Sequence, residues 1–98
     1  MPAVKVKRVI DALAKDLDLP KDNIIEQSLR TLLEKKLWEV KTEVFRLHGK
    51  YGVRSVKEME NRYRNGTLEE ESTWRDLQLL DHLEYKKERL EKLLEELK

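Results

Sequence analysis

The sequence predicts an all-α fold. It is an extended helical hairpin or bundle of three to four helices, two of them long, that pairs with a second copy of itself. Three observations carry this expectation. Ala, Leu, Glu, Lys and Arg dominate a chain that is 39% hydrophobic and 42% charged, the composition of exposed helices. Apolar residues recur at steps of three and four through two long stretches, residues 25–47 and 77–97. The few breakers, Pro20, Gly49, Gly52 and Gly66, fall between such stretches. With 98 residues the chain makes one domain, or a small domain with an arm. It is too short for the multi-layer enzyme barrels, which need upwards of ~200 residues.

Residues 4–19 carry two patterns. Val4, Val6 and Val9 alternate with Lys5, Lys7 and Arg8, which is strand-like. Val6, Ile10, Leu13 and Leu17 step by four, three and four, which is helical. The two can share the segment as a strand to about Lys7 and a helix from about Arg8 to Leu17. A wholly helical start is the rival. Asp18-Leu19-Pro20 ends the segment, because a residue before proline avoids helical torsions.

A long helix follows, with Asp22 or Asn23 as its expected cap. Its stripe of Ile25, Leu29, Leu33, Leu37, Val40, Val44 and Leu47 spans on the order of 40 Å. Ile24, Leu32 and Phe45 widen it. Gly49 and Gly52 are expected to close it. Ser55-Val56-Lys57-Glu58 forms a capping box for a short helix with Val56, Met59 and Tyr63 on its apolar face. Asn65-Gly66 ends that helix. Ser72 or Thr73 is the expected cap of a last helix over about Trp74 to Leu97, with Asp76 favouring its positive end.

Leu77, Leu80, Leu83, Leu90, Leu94 and Leu97 face one way on that last helix, and Lys87 interrupts the series. Either Lys87 sets register against a partner, or the stripe shifts to Leu79, Leu83, Leu90 and Leu93 and leaves Lys87 at its edge. The boundary between the two halves of the chain is placed at 48/49. Residues 1–48 form a dimerisation and DNA-contacting region and residues 49–98 a partner-binding arm.

Two ridges this long exceed what a lone 98-residue chain is expected to cover, so a homodimer is expected. Ile25, Leu29, Leu33, Leu37, Val40 and Val44 are its seam.

Catalytic constellations are not visible. His48 and His82 lack partners at metal-ligand spacing. No glycine-rich phosphate loop occurs, and Ser55 and Ser72 already have capping roles. The chain is expected to be neither an enzyme nor a cofactor or metal binder. Its formal net charge of +1 singles out no partner, and no apolar run has membrane-spanning length. Without Cys or a signal-peptide core the default compartment is the cytoplasm. The high Lys and Glu content with few amides fits a protein from a hot environment, and equally fits any long exposed helix.

Charge is uneven. Residues 1–50 hold 11 basic and 8 acidic residues, and residues 51–98 hold 10 and 12. A basic head suits phosphates. The second half carries Tyr51, Tyr63, Trp74 and Tyr85, residue types that anchor protein interfaces or fill cores. For Tyr63 and Trp74 both roles stand open.

Residues 13–37, with Leu13-Ala14 and Leu17-Asp18-Leu19 ahead of an amphipathic helix, resemble the two helices of ribbon-helix-helix DNA-binding proteins. In that family strands of two chains pair in the major groove and alternate side chains meet base edges. The resemblance implies DNA contacts by Lys5 and Lys7. It also implies phosphate contacts around Lys21, Asp22 and Asn23 at the start of the second helix. Asp18 stands where the family favours Gly, and Pro20 where it usually has Ser or Thr.

Residues 49–97 are similar to the C-terminal part of small archaeal and bacterial antitoxins, through Lys50-Tyr51-Gly52, Ser55 to Glu58, Gly66 and Trp74. That likeness implies a helical arm contacting a small toxin through Tyr51, Met59, Tyr63, Trp74, Leu77, Leu80 and Leu83. The expected function is that of an antitoxin-like homodimer that wraps a toxin with this arm and binds operator DNA through its N-terminus. The alternative is a non-catalytic coiled-coil oligomerisation protein without DNA binding.

Overall fold

The computed structural model describes residues 2–98, the side chain of Pro2 excepted. It is helical throughout: α1 (Pro2–Leu17), α2 (Lys21–Tyr51), α3 (Val56–Arg64) and α4 (Glu70–Glu96). The described residues carry no strand. Residues 4–7 belong to α1, so the strand expected there gives way to the wholly helical reading. A strand leaves its amides unpaired unless a second strand lies beside it, whereas a helix satisfies its own.

Three helix ends share one device. Asp18, Gly52 and Gly66 adopt left-handed torsions (φ 53°, 63° and 75°). The amide after each reaches back five residues: Leu19 N–H to Ala14 O, Val53 N–H to His48 O and Thr67 N–H to Arg62 O, at 3.0–3.1 Å. These are Schellman turns, which satisfy carbonyls a helix end leaves orphaned. Gly49, expected to help close α2, lies instead inside the helix, and Gly52 alone makes the turn.

The helix starts differ from expectation at two places. α2 starts after Pro20, whose carbonyl takes the Asn23 and Ile24 amides, and neither Asp22 nor Asn23 caps it. α4 starts after Glu69, four residues early, with Glu70 and Glu71 at its positive end. Thr73 is inside the helix, its hydroxyl bonded back to Glu69 O at 2.6 Å and paired with the Tyr63 hydroxyl at 2.7 Å. Ser55 does cap α3, accepting from the Glu58 amide at 3.1 Å.

α4 folds back antiparallel along α2 and seals the core. Val40, Val44 and Leu47 of α2, Val53 of the turn, Met59 of α3, and Leu80 and Leu83 of α4 are buried together. Leu47, Met59 and Leu80 are fully enclosed. Val53 is there because a Schellman turn drops the residue after its glycine onto the preceding helical turn. Leu77 and Leu90 pack at the margin of this core. Lys87 lies at its edge, 40% exposed and 3.8 Å from Glu91. The core joins residues on both sides of position 48.

The seam expected to hold two chains together is therefore divided. Val40 and Val44 are covered by the chain's own α4. Leu33 and Leu37 are half-buried, and Ile25 and Leu29 remain exposed. The reason is length. Arg30 on α2 donates to the carbonyl of Leu97 at 2.7 Å, so α4 ends opposite Arg30 and the first turns of α2 have no α4 beside them. Among the described residues α1 lies there, joined by Lys21–Asp11 at 2.7 Å. The molecule is a rod of 62 × 29 × 17 Å with a radius of gyration of 19.8 Å. A compact chain of this length would have about 13 Å.

Candidate protein-binding surface

The site-bearing residues fall into three groups. The first is a latch where α2, α3 and α4 meet. Asp76 of α4 accepts hydrogen bonds from the Tyr51 hydroxyl and from Lys50 Nζ, the latter at 2.9 Å. The Arg62 guanidinium donates to the Tyr51 carbonyl, a group that the end of α2 leaves free. Glu84 Oε2 accepts from the Val56 amide at 3.2 Å, so α4 also caps α3. Hydrogen bonds from Tyr51 and then Lys50 hold the Asp76 carboxyl below its ordinary value. Burial, then the bond to Asp76, pushes the Tyr51 phenol up. The bonds to Asp76 and Tyr51 raise Lys50. Each pKa moves farther from 7, the opposite of what proton transfer near pH 7 requires. This cluster fastens helices. Asp76 was expected to serve the α4 dipole; it ties α4 to α2 instead.

The second group is the expected partner-binding set. Met59, Leu80 and Leu83 lie in the chain's own core and present nothing to a partner in this conformation. Leu77 packs against them, and Tyr51 and Tyr63 are half-buried and tied by the bonds above. Of that set Trp74 alone is well exposed, at 47%. The hairpin's outer faces carry three further aromatics outside it: Trp38 (68%), Phe45 (79%) and Tyr85 (69%). Trp38 and Phe45 stand seven residues apart, hence on one side of α2. Phe45, expected to widen the core stripe, faces outward instead, and its seven-residue spacing from Trp38 was the signal in the sequence that could have singled the pair out.

The third group is the expected DNA-binding set. Lys5 and Lys7 sit on α1, where residues two apart diverge by about 200° around the axis. Lys21 pairs with Asp11, and Asn23 lies in the first turn of α2. Lys7 and Lys21 both lie near Asp11, whereas Lys5 borders the trough on another side of α1. His82 is exposed, and His48 Nε2 is covered without a hydrogen-bond partner among the described residues. Among those residues no group of three His, Cys, Asp or Glu could hold a metal ion, and no helix is long and apolar enough to cross a membrane.

Beside α1 runs an open trough of about 540 Å³, lined by Val6, Val9, Ile10 and Leu13 of α1 and by Ile24, Ile25, Leu29 and Leu32 of α2. Lys5 and Ser28 are its polar members. What the surface as a whole offers is apolar and aromatic contact on rigid helices.

No curated protein and no solved structure matches the chain. The family model described as "Uncharacterized protein MJ0235 family" matches residues 1–98, so the chain belongs to that family.

Proposed function

We propose that this chain is a non-catalytic, antitoxin-like protein that neutralises a small toxin by covering it with the outer faces of its α2–α4 hairpin. The observation that carries the reading is the exposure of Trp38, Phe45, Trp74 and Tyr85 on helices whose core is already sealed. Large aromatics cost little side-chain entropy to fix and dominate interface energetics. None of the four belongs to the sealed core. The likeness of residues 49–97 to antitoxin arms supports the same reading. The contact residues differ from those the likeness implied, because Met59, Leu80 and Leu83 are spent on the core. Operator binding through a ribbon has no support in a helical N-terminus.

The test is co-expression with the product of the adjacent gene. Expected are growth arrest by that product alone, relief when this chain is present, and a co-purifying complex. Trp74→Ala with Tyr85→Ala, or Trp38→Ala with Phe45→Ala, should weaken the complex at least about tenfold, since one such anchor is worth ~2 kcal/mol or more. A harmless neighbour, or relief unaffected by both double variants, would sink the reading. A second reading, a purely structural oligomerisation protein, is favoured by the open trough beside α1. It predicts self-association and no rescue of growth.

A further inference from the structure

We infer that the trough between α1 and α2 is a homodimer interface, filled by α1 and α2 of a second copy of this chain. The inference stands independently of the toxin-binding reading and concerns a different surface.

Area is the first argument. Val6, Val9, Leu13, Ile25, Leu29 and Leu32 are 39–57% exposed and adjoin one another along the trough. Together these six residues expose on the order of 500 Å² per chain, part of which faces into the trough. Two copies face to face remove up to about 1,000 Å² from water, the lower bound for a specific interface. A patch of this size is at the upper end of what a lone soluble chain carries.

Charge is the second argument, and it selects a copy of the chain over a foreign helix. Lys5 borders the trough on α1. Asp22 stands one turn before Ile25 on α2. Neither forms an ion pair among the described residues. Within one chain they cannot meet: α1 and α2 join at Asp18–Pro20, and Lys5 lies twelve residues before that end, ~18 Å along the helix. A two-fold arrangement that lays α1 of each copy along α2 of the other brings Lys5 towards the second copy's Asp22, twice per dimer. Such an interface is self-complementary, as a two-fold requires. A formal net charge of +1 opposes no approach of two copies.

The test is sedimentation equilibrium on the whole chain at micromolar concentration. Twice 11.8 kDa is expected. Val9→Glu and Leu29→Glu, at positions that a single chain leaves exposed, should each return the mass to 11.8 kDa with helical circular dichroism retained. The absence of Cys allows a second measurement that needs no disruptive variant. Val9→Cys mixed with Leu29→Cys should crosslink through a short bis-thiol reagent, and Phe45→Cys should not. A monomer at tens of micromolar overturns the inference. So does a dimer that both charge variants leave intact, or one crosslinked through Phe45→Cys rather than through the trough.

Discussion

Asp76 is the residue on which the hairpin's geometry turns, since it takes bonds from Tyr51 and Lys50 across the α2–α4 crossing. Its lowered pKa makes this a statement about acid. The contribution of Asp76 is complete above its ordinary value near ~3.9 and is lost as pH falls through the lower folded value. Tyr51 and Lys50 are raised, so their contributions are complete below about 10 and are lost as pH climbs through the raised values. Asp76→Asn should lower the Tm by about 4 °C at pH 7, a shift matching ~1 kcal/mol in a domain of this size. It should also flatten the acid limb of Tm against pH. Thermal scans between pH 2 and pH 7 check this, and a variant profile parallel to the parent's would show that the carboxylate does not govern that limb. None of this partnership was visible in the chain, where Asp76 sits 25 residues from Tyr51 and its position in α4 matched a dipole role. Ser55 was legible for the converse reason: its partner is three residues away, and a local bond writes itself into local sequence. Asp18 shows the intermediate case. The left-handed torsion that favours Gly is present at that position, but Asp also tolerates it, so the turn carried no glycine to announce it.

At the scale of elements, the long helices were legible because their stripes repeat for many turns, whereas the ends depended on which of several signals prevailed. Gly49 and Gly52 both looked like terminators of α2. The backbone separates them: Gly49 is helical with nothing within 4 Å of where a Cβ would stand, and Gly52 holds φ +63°. Gly49→Ala should therefore stabilise by about 0.5–1 kcal/mol, through helix propensity and a less flexible unfolded chain. Gly52→Ala should destabilise by about 1–2 kcal/mol, the cost of a left-handed torsion with a Cβ. Urea unfolding of the two variants gives opposite shifts in midpoint if the turn is at Gly52 alone, and equal signs would contradict it. The start of α4 was misplaced for a tertiary reason. Thr73 has the chemistry of a cap, but its hydroxyl is engaged by Glu69 O and Tyr63 inside the folded hairpin. The pattern of α1 was ambiguous because, among the described residues, it packs mainly on the first half of α2, which leaves Val4, Val6 and Val9 more than half exposed. With so little burial, neither period is enforced.

The whole molecule divides at Arg30. Beyond it α2 and α4 enclose the core; before it α1 and α2 share a thin contact and an open trough. The single chain leaves Ile25 and Leu29 exposed at one end of the rod and covers its ridge at the other. There α4 covers Val40 and Val44. This asymmetry has a consequence for local stability, because opening free energy follows buried apolar contact. Amide hydrogen exchange on dilute chain should find Val40–Leu47 and Leu80–Leu90 opening only with global unfolding, and α1 with residues 21–29 opening orders of magnitude sooner. Raising the concentration into the range where copies pair should protect α1 and residues 21–29 selectively, since binding stabilises the bound state by mass action. Lys5→Glu would place like charges where Lys5 is to approach Asp22 of the second copy, so it should weaken that protection, and adding Asp22→Lys should restore it. If α1 exchanged as slowly as the core at nanomolar concentration, its packing on α2 alone would suffice, and no second chain would be needed to explain the apolar surface it leaves open.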